Sequence, residues 1–137
     1  MIKYAVENNL DPEEFRSVLI NSTLGERRPI DDFDRIKKMI EGANLVVTAR
    51  HEEKLVGVAR SLTDFAYCTY LSDLAVDEKY QHQGIGKELI RQTKLASPLA
   101  TLILLSAPKA VNYYPNIGMS KHDHCFLLKE VEQLNNK

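Results

Sequence analysis

Apolar residues recur along this chain with two different spacings, and the alternation between them maps the elements. Ile2 to Val6 alternates as a short strand. Asp11 then opens a helix, with Pro12 at its first position and Glu14 placed for a capping box, while Phe15, Val18 and Leu19 make the inward stripe. A second helix is predicted over Asp32 to Glu41, with Phe33, Ile36 and Ile40 on one side and Gly42 as its stop. Leu45 to Arg50 and Lys54 to Leu62 read as strands joined by the polar turn His51-Glu52-Glu53, hence a hairpin. Thr69 to Val76 is a third long strand and Gly86 to Ala96 a helix. Ala100 to Ser106 is almost wholly apolar, the pattern of a strand buried on both faces. A short helix near Val111 and a last strand from His122 to Leu128 complete the series.

The order β-α-α-β-β-β-α-β-α-β describes a mixed sheet with helices on its faces, an α+β or α/β sandwich. No repeat or linker interrupts it before a polar tail over residues 130–137, so a single domain over 1–137 is the expectation. Eighteen Lys and Arg against 19 Asp and Glu leave no basic surplus for a nucleic-acid backbone or an anionic membrane. The amino terminus lacks the basic-then-apolar order of a secretory signal, and a cytoplasmic location is expected. Cys68 and Cys125 have no CxxC spacing and read as buried free thiols. His122 and His124 flank Asp123 without a third ligand nearby, so no metal is expected.

The stretch "KYQHQGIGKELI" carries the chemistry. A strand ending in Leu74-Ala75-Val76, a loop without acidic side chains from Gln81 to Ile85, and a helix starting near Gly86 aim free N–H groups and a positive dipole end at one spot. Gly84 and Gly86 let the backbone bend sharply and approach an anion, and Lys87 adds a mobile charge. An empty strand-to-helix turn is the other reading of the glycines alone. A Walker A loop would need Gly at Gln81 and Ser or Thr at Glu88, and a dinucleotide fingerprint would need Gly at Leu89, so both are excluded.

"YLSDLAVDEKYQHQGIGKELI" closely resembles the GNAT N-acetyltransferase signature, with Gln81-His82-Gln83-Gly84-Ile85-Gly86 in the place of Gln/Arg-x-x-Gly-x-Gly/Ala. A second segment, "APKAVNYYPNIGMSKH", resembles the later block of that family through Ala110, Tyr113, Tyr114, Gly118 and Met119. The resemblance implies the acyl-CoA N-acyltransferase (GNAT) fold, a mostly antiparallel mixed sheet flanked by helices. It implies acetyl-CoA as cosubstrate, with its pyrophosphate on residues 81–87 and its pantetheine arm along the backbone of Leu74, Ala75 and Val76. An amine acceptor would be acetylated directly, with Tyr114 as general acid to the departing thiolate. The Asn that the family often carries just before the second block is absent, since Ala107 stands there; Asn112 is nearby as its candidate replacement. Asp73, in the apolar strand Tyr70 to Leu74, is the candidate general base, the other reading being a carboxylate satisfied by backbone or a neighbouring Arg.

Acceptor choice would fall to the amino-terminal helices and the loops around Arg27-Arg28-Pro29 and Thr63-Asp64-Phe65-Ala66. Only ten residues separate Gly118 from Lys129, room for one strand or a tight hairpin, so a homodimer that completes the sheet edge is a further partner hypothesis. A catalytically silent acyl-CoA sensor is the rival to the enzyme.

Overall fold

Asp11 caps the first helix, accepting the Glu14 amide at 3.3 Å with Pro12 at the first helical position, as its sequence predicts. In the computed structural model, which describes residues 1–135, that helix is α1, Pro12–Asn21. Strand β1, Ile2–Val6, precedes it, and helix α2, Phe33–Gly42, follows with Asp32 as its cap. Gly42 is the last residue inside α2 rather than the stop beyond it. Strands β2 (Leu45–His51), β3 (Lys54–Thr63) and β4 (Cys68–Val76) come next, then helix α3 (Ile85–Ala96), strand β5 (Thr101–Leu104) and the one-turn helix α4 (Tyr113–Asn116). The last two residues of the expected polar tail lie outside the described residues.

Two compact units divide the chain, residues 1–105 and the segment from Ser106 onward. The first holds a five-stranded sheet in the order β1-β2-β3-β4-β5, antiparallel throughout except for the parallel β4–β5 pair. On one face, Phe15, Val18 and Leu19 of α1 and Ile36 and Ile40 of α2 bury against Val46, Val58 and Ala75. On the other, Ile85 and Leu89 of α3 bury against Val47, Ala49, Ala59 and Leu71. The close approach of α3 depends on Gly57, where a Cβ would stand 3.1 Å from Leu89 Cδ1. Ser97, at the end of α3, accepts from Thr69 Oγ1 of β4 at 3.2 Å and so fixes the helix to the parallel strand pair.

The second unit carries a 3-10 turn at Pro108–Ala110, α4, and a further 3-10 turn at Val131–Gln133. Three expectations change here. Residues 122–128 form no strand, because the alternation His-Asp-His-Cys-Phe finds no ladder among the described residues. β5 is half exposed rather than buried on both faces: it is the last strand of the sheet, so only Leu102 and Leu104 pack, on the α3 side. Cys68 and Cys125 are free, but both are exposed.

Candidate active site

β4 and β5 run side by side only from Cys68–Thr101 to Leu71–Leu104. β4 then continues to Val76 with partners in β3 alone, so Ser72 to Val76 keeps its other edge open. Such an edge offers a row of unpaired N–H and C=O groups to a ligand. The parting coincides with a bulge. Arg60 pairs with Asp73 and Ser61 with Leu71, which leaves Ser72 as the extra residue and bends β4 at that point.

From the open edge the chain passes directly to the glycine loop. The Asp77 amide donates to Val56 O at 2.8 Å, and its side chain accepts the Lys79 amide at 2.9 Å, which sets the 3-10 turn Glu78–Tyr80. Gln81 turns back, its Nε2 donating to Val76 O at 2.9 Å. His82 and Gly84 are both left-handed, with φ of 64° and 84°. Gly84, not Gly86, is the cap residue of α3, and no side chain occupies the cap. The leading amides of Ile85, Gly86 and Lys87 therefore have no intrahelical acceptor, and α3 meets the loop with its positive dipole end. His82, Gln83, Gly84 and Lys87 are exposed, whereas the Ile85 side chain is buried at 3% and can offer only its backbone. Glu88, the acidic group one turn in, is held by Arg91 and by Gln92 Nε2 at 2.7 Å, and these bonds draw its pKa down.

Asp73 sits at the bulge, wholly buried, and both its oxygens accept from guanidinium groups: Arg28 Nε on one, Arg60 Nε on the other. Arg28 Nη2 also donates to Ser72 O at 2.9 Å, and Arg60 Nη2 to Ser72 Oγ at 3.0 Å. Arg60 Nη1 reaches Met39 O of α2 at 3.1 Å. This is the arginine-paired arrangement, one of the two readings open for an aspartate in that strand. Arg60 is the residue that sequence reasoning passed over. The signal was there, since a single Arg at an inward position of the apolar run LVGVARSL needs a buried counterion.

Tyr114 and Asn112 belong to the second unit. Tyr114 lies in α4 with its ring edge-on to Tyr113, centroids 5.2 Å apart, and burial, helped by Tyr113, raises its pKa above the ordinary phenol value. Asn112, exposed, precedes α4 without a side-chain capping bond. His122 uses its Nδ1 locally, accepting the His124 amide at 2.9 Å. The structure thus brings Asp73, Leu74 to Val76 and residues 81–87 together at one end of β4.

Known proteins match this arrangement. The family described as "Acetyltransferase (GNAT) domain" matches residues 12–131. GCN5-related N-acetyltransferase 2, chloroplastic, of Arabidopsis thaliana is 33% identical over 72 residues, 50% of this chain and 28% of its own length. Histone acetyltransferase TAP1 of Glycine max is 34% identical over 70 residues, 49% of this chain and 30% of that protein. The chain thus spans about three-tenths of the length of these curated relatives. Among solved structures, a GNAT-family acetyltransferase of Streptococcus pneumoniae superposes with TM-score 0.69 at 19% identity, over 95% of this chain and 100% of that one. An aminoglycoside N-acetyltransferase in complex with CoA gives 0.73 at 12% identity, over 96% and 95% of the two chains. At such identities the superpositions establish the fold, and the family match spans most of the sequence. The chain belongs to the GNAT acetyltransferase family.

Proposed function

We propose that this protein transfers the acetyl group of acetyl-CoA directly to a primary amine. One observation carries the reading: the open β4 edge from Ser72 to Val76 leads straight into a left-handed glycine loop and an uncapped helix start. An acyl thioester on a pantetheine arm needs a row of backbone partners, and its pyrophosphate needs free amides with a positive field. Both stand here in the order of the ligand. Gln81, His82, Gln83, Gly84, Ile85, Gly86 and Lys87 take the pyrophosphate, the small residues by backbone and Lys87 by charge. Leu74, Ala75 and Val76 take the arm.

The acceptor amine, entering beside the arm, adds to the acetyl carbonyl and forms the C–N bond, giving a tetrahedral oxyanion that a backbone N–H at the gap steadies. Collapse of that oxyanion restores the carbonyl and breaks the C–S bond, releasing CoA thiolate. Tyr114 donates a proton to the departing thiolate, a role open to a phenol because its ordinary pKa, about 10, already keeps it protonated at neutral pH. Asn112, in the same short segment, is a further residue to bind CoA. Both oxygens of Asp73 already accept from arginines, so in this reading it shapes the bulge, and the amine proton leaves through water.

The test is a panel of amines, including polyamines, amino acids, aminoglycosides and lysine peptides, incubated with acetyl-CoA and a thiol reagent. Acceptor-dependent thiol release is expected. CoA binding with release at background for every acceptor would leave a binding module instead.

A further inference from the structure

We infer, resting on the acetyltransferase reading, that the acceptor carries an apolar group beside its amine and that Leu62, Tyr70 and Ile103 hold it. Leu62 is opposite Tyr70 in the β3–β4 ladder, and Tyr70 is opposite Ile103 in the β4–β5 ladder. The three form one row across three strands. They are 46%, 39% and 48% exposed, whereas Val58 and Leu71 on the same two inner strands are at 0% and 1%. Two of the three stand on inner strands and Ile103 on the edge strand beside them, and three adjacent large apolar side chains are not left open without a cost in hydration.

The face and the position of the row give its use. Tyr70 alternates with Leu71, and Ile103 with Leu102 and Leu104, all of which pack on the α3 side. Leu62 is two residues beyond Arg60, whose guanidinium reaches α2. The row therefore lies on the sheet face that carries α1 and α2, opposite the helix that follows the phosphate loop. Tyr70–Ile103 is the next-to-last pair before β4 and β5 part. Ser72, where the open edge begins, is two residues further along, about 7 Å at strand rise. An apolar body on the row with a short aminoalkyl arm would thus deliver its nitrogen at the gap. The end it would reach is polar, with Ser72 O already accepting from Arg28.

The experiment uses the full chain and a graded series, ethanolamine, propylamine, hexylamine, octylamine and phenethylamine. It measures thiol release with acetyl-CoA and, separately, calorimetric binding of each amine in the presence of CoA. Each methylene added within reach of the row should raise affinity and kcat/KM by up to about fourfold, the worth of one buried CH2. Tyr70→Ser and Leu62→Ser should flatten that series while CoA affinity holds. Both positions are solvent-exposed, so the fold should survive, and circular dichroism melting verifies it.

Amine affinity that rises with chain length without thiol release keeps the apolar subsite and sinks the transfer reading. Thiol release that is indifferent to chain length keeps the transfer and sinks the subsite. Neither binding nor release sinks both. A dimer in light scattering that Leu62→Ser dissociates would give the row to a second copy and overturn the inference.

Discussion

Tyr114 and Asp73 entered as the two chemical side chains, and their surroundings separate them. Tyr114→Phe removes one hydroxyl and keeps the ring against Tyr113, so packing is little changed. With the phenol as acid, kcat should fall on the order of 10²-fold at nearly constant KM for acetyl-CoA. Steady-state kinetics on the best acceptor decides it, and an unchanged kcat would hand the proton to water. Asp73→Asn should act on stability first. It leaves two guanidinium groups, one of them in Arg60 at 7% exposure, without their shared counterion. Removing one member of a buried pair costs about 3 kcal/mol or more. A denaturant melt should show that loss, whereas an undiminished midpoint with abolished turnover would restore Asp73 as the base. Its strand and its inward direction were legible in the sequence. Its partners were not, because Arg28 is 45 residues away and only the fold brings it to Asp73.

At the scale of elements, whatever rests on local chemistry was legible. Asp11-Pro12 and Asp32 announce their helices, and the hairpin turn falls between His51 and Lys54 as its polar residues require. What depends on a neighbour was not: the half-burial of β5 and the missing strand at 122–128. The glycine loop was readable to within two residues of its helix cap. Gly84→Asp puts a carboxylate at φ 84°, where no atom crowds a Cβ but a side chain strains the backbone by about 1 kcal/mol, so the fold should persist slightly destabilised while the negative charge repels pyrophosphate. Calorimetry with CoA should show binding abolished, and retained affinity would move the pyrophosphate elsewhere.

The β3–β4 hairpin gives a pH prediction. Asp64 accepts the amides of Ala66, Tyr67 and Cys68, and these bonds pull its pKa down from 3.8 to about 2. A depressed carboxylate stabilises the fold above its unfolded value and loses that contribution as pH falls through the folded one. The melting temperature of wild type minus that of Asp64→Asn should therefore shrink between pH 4 and pH 2. A difference constant over that window would remove the turn from the account.

For the whole molecule, burial divides the chain. The strongly buried core ends at Ala100, and no described residue from Thr101 onward is buried, although Phe126, Leu127, Leu128, Val131 and Leu134 are all apolar. Hydrophobic pattern alone read residues 122–128 as one more strand, for pattern records what a segment could bury and not what it does bury.

The strand order has a kinetic side. The order of strands in the sheet is the order in the chain, and β1 to β4 join antiparallel neighbours, two of them by tight hairpins. β5 must wait for a crossover through α3 before it meets β4 in parallel, and β1 is joined to β2 only through the longer connection that holds α1 and α2. Short loops close first and long ones late, so the β2-β3-β4 meander should assemble ahead of both edge strands, β1 and β5. In stopped-flow refolding, the far-ultraviolet signal should recover in an earlier phase than CoA binding, and a single shared phase would contradict the sequence of events. The cleft between β4 and β5 would then form only after the central meander, and a molecule caught before that step would hold its middle strands yet be blind to its ligand.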